Sequence, residues 1–290
     1  MFTRLLLAAL MNGCVYGMIG LGFSLIYRAS GLMTMTQGEL LMLGAFFGLT
    51  FYSYLGLPFV VAIVLTVAVM FLVGMAVERF AIRRVLKKHA PPIFVVLTTI
   101  AVSIIFQNSA MLTWGSKLFY FPSSFGENMI ELKDGVRISP EYIVVLISSA
   151  AIMLGLHFFT TKSNFGTAMR SAAQDSLAAS ACGVNVPLTT GVTWGIAAVV
   201  AASTGIIIGP INGITYHMGS LIGMKGFAAA IVGGYGNMYG AICGGLLIGF
   251  VETFTAGYIS SSYKDFIAFI VLFAFIAVKP TGLFNEKVIE

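Results

Sequence analysis

Charge is scarce in this sequence. Lys, Arg, Asp and Glu make up 9% of its 290 residues, against about a quarter in an average soluble domain. Hydrophobic residues make up 58%, and the mean hydropathy is +0.96. A soluble core of this length could not absorb so much apolar surface, so the chain must cross a bilayer several times. The net charge of +5 does not point to nucleic acid, because the cations sit in short segments between apolar runs.

Catalytic and metal-binding sets are also missing. His89, His157 and His217 lie far apart, and none has a carboxylate or cysteine at metal-ligand spacing. Cys14, Cys182 and Cys243 are scattered among small or apolar neighbours and read as packing residues. There is no nucleophile elbow and no HExxH. No GxxxxGK[ST] occurs either, since Gly223-Met224-Lys225 lacks the upstream glycine and the hydroxyl residue. The chain therefore has no P-loop of its own, and no catalytic residue or metal ligand is assigned. Charge in mid-span is thin as well. Glu39, Glu78, Lys225 and Glu252 all read as lying near the ends of segments, which argues against proton- or ion-driven chemistry.

What is present is a series of apolar runs and 33 glycines. Small residues let membrane helices approach closely. On a ruler of about 20 residues per span, the first run is Leu5 to Tyr27, with no convincing cleavage site. A polar break follows from Arg28 to Glu39. Leu40 to Leu55 is a short second span, and a third ends near Phe80. Ile93 to Thr113, Tyr142 to Phe159 and Thr189 to Gly209 make the fourth to sixth. The segment Gly223 to Phe254 is broken at Gly233-Gly234 and Gly236. It reads as a half-helix or re-entrant piece followed by a longer helix. Phe266 to Val278 closes the set. The expected fold is all-α: a polytopic membrane helix bundle of roughly eight spans with glycine-broken segments, forming one domain over residues 1–290.

Orientation follows from the cations. Arg79, Arg83, Arg84, Lys87 and Lys88 crowd one stretch, and the positive-inside rule puts it in the cytoplasm. The mixed-charge loop from Trp114 to Glu141 then lies outside, and Lys162 inside. The side of the N-terminus stays open, because Arg4 and Arg28 pull in different directions. Met35 to Gly48 and Met218 to Gly234 both run from Met through small or polar residues into a glycine-punctuated apolar segment. Such pairs can flank a central pathway. A route for a polar but weakly charged solute would be lined by Asn12, Thr34, Thr36, Gln37, Ser203 and Thr204, though each of these taken singly reads first as a helix–helix hydrogen bond.

The remaining unusual stretch is KSNFGTAMRSAAQDSLAASACGVNVP, residues 162–187. It is too polar for lipid, and on the orientation above it is cytoplasmic. Asp175 suits an N-cap for a short helix from Ser176 to Cys182, and Gly183 suits the C′ stop. Small residues on one side would let such a helix enter a groove on a partner; an ordinary amphipathic loop is the alternative.

This stretch resembles the coupling loop of ABC importer permeases, whose signature is Glu-Ala-Ala, three residues, Gly. Leu177 stands where that Glu would be. The variant is similar to the branched-chain amino acid ABC importer permease family, as are NGCVYGMIGLGFSLIYRASGLMTMTQGELLMLGAF, GMKGFAAAIVGGYGNMYGAICGGLLIGFVE and YKDFIAFIVLFAFIAVKPTGLF, in the right order. The resemblance implies a non-enzymatic transport subunit of a bacterial or archaeal cytoplasmic membrane. It also implies a second permease subunit, identical or homologous, two cytoplasmic ATPases and a periplasmic or surface solute-binding protein. ATP would be bound by the partners, with no cofactor in this chain. Arg170, Asp175, Ala178, Ala179 and Gly183 are the coupling residues it implies. A urea or short-chain amide permease, of similar sequence, is one alternative. A stand-alone channel or secondary carrier is another.

Overall fold

The structure is a computed structural model describing residues 2–88, 91–121, 130–132, 136–279 and 281–284. His89 and residues 122–129 and 133–135 of the mixed-charge loop, both named above, lie outside the described residues. Among the described residues, seven helices are long and apolar enough to cross a membrane. These are α1 (Phe2–Ser30), α3 (Phe59–Val77, prolonged by α4, Arg83–Lys87), α5 (Pro92–Trp114), α6 (Pro140–Lys162), α9 (Val186–Asn212), α11 (Met238–Tyr258) and α12 (Lys264–Val278, taken with the 3-10 turn Ser261–Tyr263 before it). Two shorter apolar helices are α2 (Gln37–Leu49), which runs into a π-turn at Thr50–Tyr54, and α10 (Met218–Gly233). The segment after α6 forms α7 (Asn164–Gln174) and α8 (Ser176–Ala181). The outer loop contains a small antiparallel hairpin of β1 (Ile130–Leu132) and β2 (Val136–Ile138).

The bundle is layered by burial. The apolar window of α9 is 72% buried and that of α1 61%, whereas α5 and α12 reach only 17% and 11%. The inner layer is α1, α2, α9, α10 and α11, and the outer helices α3, α5, α6 and α12 present Val, Leu, Ile and Phe outward. Glycine sets the inner spacing. A Cβ on Gly245 would meet the Gly17 backbone nitrogen at 2.3 Å, and one on Gly44 would meet Ala202 Cα at 2.3 Å. With no hydrophobic drive between helices in lipid, such close backbone contact is the main source of association.

Several boundaries differ from the sequence reading. The third apolar run does not end near Phe80. It continues through a π-turn at Glu78–Ile82 into α4, so the basic stretch is a helical arm rather than a loop. No glycine or proline interrupts it before Pro91, and Arg, Leu and Lys favour helix. Gln37 and Glu39 belong to the first turn of α2, not to the preceding break, which spans only residues 31–36. The piece expected from Gly223 begins five residues earlier, at Met218, and stops at Gly233 as expected.

Helix α1 runs antiparallel to α11: Leu5 lies against Gly257, and Tyr27 against Tyr235 and Gly236. Its Ser30 end is therefore on the side of α7 and α8, and its Phe2 end on the opposite side. The N-terminus, whose side the charges left open, is thus opposite α7 and α8.

Candidate functional site

The surface between α6 and α9 is built by local capping. Ser163 accepts from the Gly166 N–H (2.9 Å) and opens α7. Asp175 Oδ1 accepts from the N–H groups of Leu177 (2.9 Å) and Ala178 (3.0 Å) and opens α8. Gly183 has φ +88°, and the Val184 N–H donates back to the Ala179 carbonyl at 3.0 Å, closing the helix end. This is the helix–turn expected from Asp175 and Gly183, ending at Ala181.

The side chains of this segment split between two faces. Ala179 is buried and turned toward the bundle, while Asp175, Ala178 and Gly183 are exposed. Leu177 is 83% exposed, the most prominent apolar residue of the segment. The sequence reading set Leu177 aside as a departure from the family signature. The signal that it projects was in the helix register: the cap at Asp175 and an inward Ala179 turn Leu177 outward. Arg170 is half-buried on α7, donates to Thr167 Oγ1 at 3.3 Å, and lines a cleft with Arg28, His157 and Tyr239. His157 Nδ1 pairs with the Tyr239 hydroxyl across that cleft at 2.9 Å.

A latch ties the segment to the basic arm. Arg83 Nε donates to Glu78 Oε1 at 3.0 Å, and the Arg83 guanidinium also reaches the Pro187 carbonyl at the start of α9. Thr190 donates to Glu78 Oε1 at 3.2 Å. Glu78 is buried and carries both contacts.

The expected pathway residues do not converge on one cavity. Thr34, Thr36 and Gln37 sit together where α2 begins, and all three are fully buried. Gln37 Nε2 donates to the Ala197 carbonyl at 2.7 Å. Gln37 Oε1 and the hydroxyls of Thr34, Thr36 and nearby Ser24 have no hydrogen-bond partner among the described residues. Asn12 instead donates to Thr253 Oγ1 at 3.1 Å, joining α1 to α11. Ser203 faces a crevice between α3, α6 and α9. Thr204 donates to its own helix at Val200 (2.8 Å), as Ser and Thr often do in apolar helices.

The start of α2 meets the start of α10. A Cβ on Gly38 would lie 2.1 Å from the Gly219 carbonyl oxygen and 2.8 Å from Gly223 Cα. Glu39 is buried beside them: its Oε2 would touch a Cβ on Gly219 at 2.7 Å, and it has no hydrogen-bond partner among the described residues. The two segments paired by the sequence pattern are thus in contact through their glycines. The crossing at Gly223 lies ~15 Å along α10 from its inner end at Gly233, about half of a ~30 Å hydrocarbon core.

A second polar group was not anticipated. Lys225 Nζ sits 2.7 Å from Glu252 Oε1 and 2.8 Å from Asp265 Oδ1, and the Tyr16 hydroxyl donates to Glu252 Oε2 at 2.7 Å. Lys264 Nζ lies 3.8 Å from Glu252 Oε1. Lys225 and Glu252 are not at segment ends as the sequence suggested; both are well inside their helices, and the network joins α1, α10, α11 and α12. Helix α12 begins at the depth of Glu252, so two charges that look terminal in sequence are brought to the buried pair.

Comparison with known proteins places these features in context. The profile of a family described as "Branched-chain amino acid transport system / permease component" matches residues 5–276. The chain is 31% identical over 294 aligned positions to the high-affinity branched-chain amino acid transport system permease protein LivH of Escherichia coli (strain K12), with 96% of this chain and 94% of that protein covered. It is 30% identical to the corresponding permease protein BraD of Pseudomonas aeruginosa, covering 100% of this chain and 97% of that one. A probable branched-chain amino acid transport permease of Methanocaldococcus jannaschii is 24% identical over 92% of this chain and 87% of that protein. Among solved structures, PsaBC from Streptococcus pneumoniae in complex with Fab superposes with a TM-score of 0.51 at 11% identity. The match covers 94% of this chain and 91% of that chain, a likeness of fold alone.

Proposed function

The chain belongs to the family of branched-chain amino acid transport system permease components, and on that premise we propose that it is the membrane-spanning subunit of an ABC importer. It moves branched-chain or related amino acids inward across a bacterial or archaeal cytoplasmic membrane. It has no ATPase site of its own; ATP is bound and hydrolysed by two cytoplasmic subunits. A second permease subunit, identical or homologous, and an external solute-binding protein complete the assembly.

The observation that carries the coupling part is the form of α8. It is capped at both ends, buries Ala179, and presents Leu177 and Ala178 outward on the cationic face. A short helix with one apolar knob suits insertion into a groove on a partner. Arg170, Asp175 and Gly183 shape and position that helix. Its motion reaches α9 directly and reaches α3 through the Arg83 latch. The residues at the start of α2 line the route.

Reconstitution tests the proposal. Uptake of leucine into proteoliposomes is expected only when the ATPases, the second permease subunit, the binding protein and ATP are all supplied. Gradient-driven uptake by this chain alone would overturn the proposal in favour of a channel or carrier. Gly183→Val forces a β-branched residue into φ +88°. It should leave ATP hydrolysis running while uptake falls; undiminished uptake would remove α8 from the mechanism.

A further inference from the structure

The start of α2 is a helix end buried without a side-chain cap. Thr36 is the N-cap residue, yet its hydroxyl makes no capping hydrogen bond, and the first-turn N–H groups of a helix have no intrahelical acceptor. In an apolar interior each such group is costly unless something satisfies it. The start of α10 abuts it, and His217 at that N-cap also gives no side-chain cap. Two positive helix ends therefore approach each other near the middle of the membrane. Their closeness depends on Gly38, Gly219 and Gly223, where no side chain intervenes.

Three further groups point to what completes the site. The hydroxyls of Thr34 and Thr36 are fully buried and unpartnered among the described residues, and so is Oε2 of the buried Glu39. Hydroxyls and helix-end N–H groups suit a carboxylate. A lone carboxylate oxygen suits an ammonium. The surrounding core, including Phe23, Leu40 and Ile222, is apolar. We propose that the α2–α10 junction recognises the zwitterionic head of an α-amino acid: the helix ends with Thr34 and Thr36 hold the α-carboxylate, and Glu39 accepts the α-ammonium. This rests on the reading of the chain as an amino acid permease. It adds where in the membrane the solute is read and by which groups.

The test uses the purified full chain in detergent, with thermal unfolding as readout. The probes are leucine, isocaproate (no ammonium), isoamylamine (no carboxylate) and urea. Leucine should raise Tm saturably, and the two half-head analogues should not at the same concentrations. Glu39→Gln should weaken the half-saturation for leucine by about tenfold or more, the loss of one charge-assisted bond. Thr36→Val should weaken it similarly, and Thr36→Ser should restore it. The inference is overturned if leucine gives no saturable shift or if the analogues match it. It is also overturned if Glu39→Gln lowers the unliganded Tm but leaves the leucine response intact, since Glu39 would then only cap α10. Leucine uptake by the assembled transporter, run in parallel, separates the two readings. Normal uptake with Glu39→Gln sinks the site and leaves the permease function standing. Failure of the wild-type assembly to carry leucine, with a shift from urea instead, sinks both.

Discussion

Lys225 has Glu252, Asp265 and the Tyr16 hydroxyl around it, and both members of its closest pair are largely withdrawn from solvent. A buried pair gives little net stability, but removing one partner strands the other charge at a cost of about 3–5 kcal/mol. Lys225→Met alone should therefore lower Tm sharply, with Glu252→Gln alone doing much the same. The double variant should recover most of the loss. A double-mutant cycle from thermal unfolding of the purified chain reads this, and strictly additive losses would show that the pair is not coupled. None of this was visible in the linear sequence. Lys225 looked like a segment end because the start of α10 was placed too late, and Glu252 because its helix was ended at Phe254 rather than Tyr258. Asp265 and Tyr16 are distant in sequence and meet the pair only through the depth at which α12 begins.

Helix α8 shows the opposite case, an element readable in advance almost to its ends. Capping obeys short-range rules, so Asp175 and Gly183 announced the helix without any tertiary information. Asp175→Ala should cost about 1 kcal/mol at that helix end, seen as faster amide exchange at Leu177 and Ala178 with the transmembrane amides unchanged. The outward residue was harder, because facing is decided by the bundle against which Ala179 lies. Leu177→Asp should abolish tight binding of the ATPase subunits, measured by co-purification, while the chain alone keeps its Tm. Retained binding would move the docking contact elsewhere. The basic arm was misjudged for a related reason. Charge signals an aqueous location but does not end a helix, and α3 carries straight on into α4. Its role as one side of the Arg83 latch follows from that continuity: Arg83→Met should free the start of α9 from α3 and reduce uptake more than ATP hydrolysis.

Across the whole molecule, most cations on described segments gather on one face. Arg28, Arg79, Arg83, Arg84, Lys87, Lys88, Lys162, Arg170 and Lys279 lie on the side of α8, Arg4, Lys117 and Arg137 lie at the other, and Lys225 and Lys264 belong to the network around Glu252. A membrane-impermeant maleimide should therefore label the native Cys182 only after cells are opened. A Lys117→Cys variant should label in intact cells; the reverse pattern would invert the bundle. The fold class and the order of the apolar runs were legible in sequence because lipid imposes a coarse, length-based code. The site was legible only in part. Of the six candidates named for their polarity, Thr34, Thr36 and Gln37 lie together at the approach to α2, whereas Ser203 and Thr204 sit elsewhere, and hydroxyls in apolar helices commonly bond their own backbone. The close glycine contacts have a consequence for how this sequence can vary. At Gly38, Gly44, Gly205, Gly233 and Gly245 even one added carbon would meet neighbouring backbone at 2.0–2.4 Å, and backbone cannot step aside as a side-chain tip can. In a saturation library selected for growth on leucine, the least tolerant positions should be these chemically blank ones rather than the charged residues. Alanine, the mildest change elsewhere, should be scored there as severely as leucine.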